Sequence, residues 1–379
     1  MSHPVSVGPP MKAAAFGESN YPRNMWWVAA LSSEVTEGAL VSRQVVGRSV
    51  VLRRTSTGEV AALEDRCPHR GAPLSLGDVI DDNISCRYHG LQFAPDGRCV
   101  HVPTQDHVPA RSEVRAYPVR EIGPLVWIWT GDPDRADEHA PPEFDWAGNA
   151  DWLHVSGAMP LQANYMSLKE NVLDLTHFGF VHANTFRIRG WVKPPDVSVI
   201  DDVVRFEVTY DNVPLPHIDA TMSGLGRRRV SSTTWGRSLS PAIHEAGMDA
   251  RLVEPAPDER TDYHFRILHI TTPASPRMTN YWWFVGTDYG HDIDGVHDWL
   301  RASITDGFIE DKVVLEAIQA AADADPEYAR GPEVSVTADR AGLHARRQLQ
   351  RLLDREHGPD EPVVASDIGS ASTNEERKA

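Results

Sequence analysis

Cysteine is scarce in this chain, with three residues among 379, too few for a disulfide framework. The thiols are therefore expected to be free, and a reducing, cytoplasmic compartment matches them. No run approaches the ~18 consecutive apolar residues of a membrane span. The first twenty residues also lack the apolar stretch of a secretory signal. Positive charge is short as well: 37 Lys and Arg stand against 54 Asp and Glu, a net charge of −17. That balance argues against nucleic acid or an anionic membrane as partner and suits a soluble enzyme, or one that docks a basic protein. There are no internal repeats and no Gly-rich phosphate loop, so nucleotide binding has no support.

What is present is ordinary for a globular protein, at 41% hydrophobic and 24% charged residues. The length exceeds what one core usually fills, so two domains are expected. Residues 20–131 read as short β runs, among them Val45-Val46, Ser49–Leu52, Val60–Leu63 and Leu125–Trp129. Gly58, Asp96-Gly97 and Gly123-Pro124 supply turns between them. Residues 132–150 open with a charged, Pro-containing run and read as a linker. Residues 151–356 mix helix and strand. Helices are expected near Leu161–Phe178, His297–Ala322 and Thr337–Leu353, with strands at Val203–Tyr210, His264–Thr272 and Thr279–Gly286. Residues 1–19 form an extension, and residues 357–379 a polar tail expected to be disordered.

Two Cys–His pairs stand close together in the β-rich half: Cys67-Pro68-His69 and Cys86-Arg87-Tyr88-His89. Two thiolates and two imidazoles suit a structural zinc ion, and equally a [2Fe–2S] cluster with two histidines on one iron. Spacing separates them. Zinc fingers usually pair like with like, whereas here each short reach offers one sulfur and one nitrogen. Pro68, Gly71, Pro73 and Gly90 suit two tight loops packed over a cluster. The pattern resembles the Rieske signature C-x-H-x(15–17)-C-x2-H. Cys99 has no histidine at ligand spacing and reads as structural.

A second polar constellation lies on the helix expected from Leu161. Leu168, Val172 and Leu175 form an apolar stripe, while Asn171, Asp174 and His177 step along an adjacent face. Such groups are costly beside a core unless they pair with one another or with a metal. His182 would be rotated by about 140° from His177 on a regular helix, so the helix must end or bend between them, and Gly179 is the expected place. On the later long helix, Leu300, Ile304, Phe308, Leu315 and Ile318 form an apolar stripe, and Asp311 completes its stepping. An acid there needs a neutralising partner, a metal ion or else a cation such as Lys312. Asp306 and Glu310 fall off the stripe and read as solvated. His177, His182 and Asp311 would form a facial triad that leaves positions open on Fe(II).

The chain, from Tyr21-Pro22-Arg23-Asn24-Met25-Trp26-Trp27 to the helix bearing Asp311, is similar to the terminal oxygenases of Rieske non-haem iron systems. It looks most like the branch of vanillate O-demethylase and dicamba monooxygenase. The resemblance implies an α+β chain: an all-β Rieske domain, then a helix-grip (START/Bet v1-like) catalytic domain with a curved antiparallel sheet. It implies a [2Fe–2S] cluster on Cys67, His69, Cys86 and His89, and a mononuclear iron on His177, His182 and Asp311 with Asn171 nearby. It also implies a homotrimer in which Asp174 bridges His177 to His89 of a neighbouring subunit. Electrons would come from NAD(P)H through a ferredoxin-type reductase, because no nicotinamide or flavin motif occurs in this chain. O-demethylation or another monooxygenation of a small aromatic acid is the expected reaction. Ring or methyl hydroxylation, N-demethylation, or electron transfer without oxygenation are the alternatives. Leu91-Gln92 departs from the family, many members of which carry an aromatic there. Arg227–Arg229 and His217 are the residues able to meet a substrate carboxylate, although the arginines read as a solvated loop.

Overall fold

A computed structural model describes residues 21–186, 194–226, 228–325, 327 and 333–357. The expected extension at 1–19, and all but the first residue of the expected tail at 357–379, lie outside the described residues. The N-terminal half is built from eleven short strands. They are β1 (Trp26–Leu31), β2 (Val41–Val45), β3 (Arg48–Arg54), β4 (Val60–Glu64), β5 (Asp78–Ile80) and β6 (Asn83–Ser85), followed by β7 (Gln92–Phe93), β8 (Cys99–His101), β9 (Ala116–Tyr117), β10 (Val119–Ile122) and β11 (Leu125–Trp129). They form three antiparallel sheets, ordered β1-β11-β10, β2-β3-β4-β9 and β5-β6-β7-β8. Val46 was expected in a strand. It instead occupies the β2–β3 turn with φ 44°, beside Gly47 at φ 75°, because a two-residue hairpin turn of this kind needs left-handed backbone.

The second half is one seven-stranded antiparallel sheet. Its strands are β12 (Leu153–Leu161), β13 (Asp196–Ile200), β14 (Val203–Pro214), β15 (Arg229–Ser240), β16 (Ile243–Leu252), β17 (Asp262–Ser275) and β18 (Met278–Thr287). Their order is β12-β18-β17-β16-β15-β14-β13. Strands β12, β13, β15 and β16 are not among the expected runs, since Ser, Thr, Gly, Pro and charged residues dilute their apolar pattern. Helices α1 (Tyr165–Leu173), α3 (Val296–Ala324) and α4 (Arg340–His357) pack on this sheet, and α2 (His217–Met222) packs against α3. The short α2 was not expected.

Two details of the helices differ from their sequence patterns. Helix α1 ends at Leu173, because Asp174 takes an extended conformation (φ −105°, ψ 103°) and caps a 3-10 turn over Leu175–Gly179. The break that lets His177 and His182 face each other therefore falls at Asp174, not Gly179. On α3, Ile318 is half exposed and Gln319 is buried in its place. Stepping by four from Asp311 through Leu315 follows the 3.6-residue turn, and Gln319 accepts a hydrogen bond from the Asn164 N–H at 2.9 Å.

The expected linker is no loose tether. Trp146 is buried against Trp152 and Phe284, and its indole N–H donates to Glu245 at 2.8 Å. It joins Trp26, Trp127, Trp129, Trp282 and Leu268 in one apolar cluster spanning both halves. Polar bonds cross the same seam: Val46 N–H donates to Pro273 O at 2.7 Å, and the Trp282 indole donates to Glu34 at 2.8 Å. Within the large sheet, Gly157 lies opposite Trp283, and a Cβ there would meet the indole at 2.2 Å. Trp283 is 1% exposed and has nowhere to go. Gly157→Ala is expected to lower stability by about 1–3 kcal/mol, read as a lower midpoint in urea unfolding.

Candidate metal centres

The two Cys–His loops are built alike. The Cys67 N–H donates to Ala72 O at 2.8 Å and its carbonyl accepts from Gly71 N–H at 2.9 Å; Cys86 pairs with Leu91 O and Gly90 N–H in the same way, both at 2.8 Å. Both glycines have left-handed backbone, at φ 74° and 71°, which a side chain would strain. The loops thereby bury both thiols among Leu74, Ile84, Phe93 and Val102, with Leu91 completing the same cluster. His69 and His89 are exposed, with ring centroids 4.5 Å apart. Burial raises the Cys67 thiol above its usual pKa, helped by the adjacent Cys86. Two buried unbridged thiols under two solvent-facing imidazoles suit a two-iron cluster with an inner sulfur-held iron and an outer nitrogen-held one. Cys99 sits apart on β8, its thiol 3.6 Å from His101 O.

The second set is tighter. His177, His182 and Asp311 form the group of three metal-binding side chains that converge on one point among the described residues. His177 Nε2 and His182 Nε2 are 3.2 Å apart, and they lie 3.4 and 3.3 Å from Asp311 Oδ1. Adjacent ligands of an octahedral ion with bonds of about 2.1 Å stand roughly 3 Å apart, so the triangle fits one face of such an ion. Asn171 Nδ2 donates to the same Asp311 oxygen at 3.0 Å, and Asn171 Oδ1 is buried without a partner. Lys312 does not neutralise Asp311: its ammonium turns to Pro160 O at 2.8 Å and to Glu316.

The reading of Glu310 as solvated is corrected. Its Oε2 lies 3.0 Å from His182 Nδ1 and accepts from the Thr185 hydroxyl at 2.6 Å. A metal-bound histidine needs such an acceptor behind it to fix tautomer and ring plane. Because Glu310 lies off the apolar stripe, helical stepping gave no signal; adjacency to Asp311 was the only clue. His177 is held differently, with its Nδ1 on the Asp174 carbonyl oxygen. The expected bond from the Asp174 carboxylate to His177 is not formed, His177 Nδ1 being on the backbone oxygen; one oxygen of the carboxylate takes Thr176 N–H at 2.8 Å and Thr176 Oγ1 at 2.6 Å. Burial lowers the His177 pKa despite Asp311. Burial acts likewise on His182, but hydrogen bonds and charges from Asp311 and Glu310 outweigh it and raise that pKa. The Phe186 ring lies tilted against His182, centroids 4.6 Å apart, in a space left by Gly307 of α3.

The triad closes one end of a cavity of about 1180 Å³. Its walls are mainly apolar, with Phe178, Phe265, Ile267 and Phe308 among them, and α2 covers part of it through His217 and Asp219. His269 is a buried polar group of the cavity wall. Burial takes its pKa down to about 3, so the ring is neutral, and its Nδ1 pairs with the Tyr281 hydroxyl at 2.8 Å. Arg228 and Arg229 are engaged by Glu259 and Asn212 and do not line the cavity; Arg227 lies outside the described residues.

Asp311→Ala is expected to lose the mononuclear iron while the cluster's visible absorption persists, measured by iron analysis against sulfide. Glu310→Gln keeps the triad but weakens the acceptor behind His182, and iron affinity is expected to fall about 10–100-fold in chelator competition.

Comparison with known proteins agrees with this anatomy. Residues 25–118 match the Rieske [2Fe-2S] domain, and residues 161–355 match the vanillate O-demethylase oxygenase C-terminal domain. The chain is 33% identical to a putative toluene-4-sulfonate monooxygenase system iron-sulfur subunit of Comamonas testosteroni, over 90% of this chain and 99% of that protein. It is 32% identical to the dicamba O-demethylase oxygenase component of Stenotrophomonas maltophilia, over 88% and 98%. Its fold superimposes on crystalline dicamba monooxygenase bound to 3,6-dichlorosalicylic acid with a TM-score of 0.79 at 29% identity, covering 89% of this chain and 99% of that one. Another structure of that enzyme contains non-heme iron and dicamba. Among the described residues, no helix is long and apolar enough to cross a membrane. The chain belongs to the Rieske oxygenases of the vanillate O-demethylase type, the oxygenase components of multicomponent systems that draw electrons through a separate reductase.

Proposed function

We propose that this oxygenase, a cytoplasmic protein, oxidises a small aromatic acid, by O-demethylation in preference to ring or methyl hydroxylation or N-demethylation. One observation carries the reading: a facial set of two histidines and a carboxylate opens onto a large, mostly apolar cavity with few polar groups. Such a cavity suits an aromatic ring, and a small number of polar groups fixes its orientation. The relatives named above and vanillate O-demethylase share aromatic substrates in their names.

The cluster, when bound, supplies electrons one at a time, and the mononuclear iron supplies the site where O2 is activated. The rest is the work of this chain's side chains. His177, His182 and Asp311 occupy one face of the site and leave the cavity side free. Phe178, Phe186 and Phe308 exclude water there, which protects a reactive centre from side reactions. Asn171 Oδ1 and His269 are placed to receive polar groups of the substrate. His217, also in the cavity wall, is suited to its acidic group.

Electron entry is proposed to pass between subunits of a homotrimer served by a ferredoxin-type reductase. Asp174 is half-buried, with one carboxylate oxygen held by Thr176 and the other carrying no hydrogen bond among the described residues. Phe180 beside it is 83% exposed, as is 64% of Tyr88 beside His89. Apolar surface of this kind next to both metal sites suits a subunit contact. The free oxygen of Asp174 is then available to His89 of a neighbour, tying the two metal environments together.

Asp174→Asn is expected to keep both metals yet stop turnover, followed as substrate-dependent O2 uptake; retained turnover removes the bridging role. The reaction class is tested with a surrogate reductase and a panel of methoxy, methyl and methylamino aromatic acids. Formaldehyde release in proportion to O2 consumed is the expected result, and hydroxylated product without formaldehyde would replace demethylation by hydroxylation.

A further inference from the structure

Away from both metal centres, where the Rieske sheets meet the end of α4, lies a second cavity of about 620 Å³. Arg23 before β1, Arg48 on β3 and Arg115 before β9 all line it. Guanidinium groups stay charged in proteins, yet none of these three forms an ion pair with a carboxylate among the described residues. Two acids, Glu356 and Asp132, share the cavity wall, and the Glu356 charge acts on Arg23. Glu356 accepts the backbone N–H groups of Arg23, at 2.8 Å, and of Asn24. Asp132 accepts the Asp134 N–H at 3.1 Å as cap of the turn Pro133–Arg135. Arg115 is fixed by the carbonyls of Thr130 and Gly131 and lies over the Tyr117 ring at 5.0 Å.

Several polar atoms here are buried without partners: Arg23 Nη1, Arg48 Nε and the hydroxyl of Tyr21, a residue only 4% exposed. Burial, with the repulsion of Arg48 and Arg115, holds the Arg23 pKa below its usual range although the Glu356 charge opposes it. Three guanidinium groups outnumber the two carboxylates, and the unmet donors beside them are costly in a protein alone; a bound anion satisfies both. Guanidinium forks match an oxyanion with several acceptor oxygens, more than a monocarboxylate offers.

We propose that this cavity binds a small phosphate-class oxyanion, either inorganic phosphate or the phosphate group of a monoester. Its volume falls within the range of about 300–1,000 Å³ typical of small-molecule sites, so an organic portion is accommodated. Arg23, Arg48 and Arg115 come from the Rieske side and Glu356 from α4, so the ligand would sit across the seam between the two halves. The site is separate from the oxygenase centre, and its test does not read turnover.

The experiment uses the full chain with its metals, at constant ionic strength, titrated with phosphate, glycerol phosphate, acetate or chloride. Thermal unfolding and calorimetry are read together. Phosphate or glycerol phosphate should raise Tm saturably, while acetate and chloride should not. Tighter binding of glycerol phosphate assigns the site to a monoester, and equal binding assigns it to the phosphate group alone. Arg48→Gln should weaken binding about tenfold or more, Tyr21→Phe less, and exposed Arg98→Gln not at all. Should Arg48→Gln fail to fold, Arg48→Lys keeps the charge, loses the fork, and should still weaken binding. A response that follows ionic strength regardless of the anion, or one unchanged in both Arg48 and Tyr21 variants, overturns the proposal.

Discussion

A single carboxylate oxygen organises the catalytic half. Asp311 Oδ1 stands within 3.4 Å of two imidazole nitrogens and accepts from Asn171 at 3.0 Å. Asp311 is 5% exposed on a helix face whose other buried members, apart from Gln319, are uncharged and apolar, where an unpaired charge would be expensive. A divalent ion held by the three groups resolves that cost. The break in α1 at Asp174, the 3-10 turn carrying His177 and the space at Gly307 for Phe186 all serve the same convergence.

The Rieske half solves the complementary problem. Its two Cys–His loops share one hydrogen-bond pattern, each closed by a left-handed glycine. Their thiols lie in the apolar core and their imidazoles face solvent. Tryptophans from β1, β11, β18 and the segment before β12 share one cluster that joins the two halves.

The immediate surroundings of the triad divide the labour of holding it. Glu310 and Thr185 secure His182, while the Asp174 carbonyl secures His177 and leaves part of its carboxylate unengaged. The contact that orients His177 comes from the Asp174 backbone, so a substitution of the Asp174 side chain leaves it in place.

The side chains that converge at the two candidate centres stood out in the sequence, for a physical reason. Cysteine and histidine at short spacing, or an acid inside an apolar helical stripe, are costly without a partner, and local pattern exposes that cost. The all-β first half, the long helix bearing Asp311 and the resemblance to Rieske oxygenases followed from the same kind of evidence. Tertiary structure alone decided the rest. Glu310 looked like any solvated helix residue until His182 arrived from a remote segment. The presumed linker became core only because Trp146 met Glu245 and Phe284. Arg23, Arg48 and Arg115 lie far apart in the chain, and no local pattern foretold that they would face one cavity. Local periodicity records what each segment must bury; which segment buries it is settled by long-range packing.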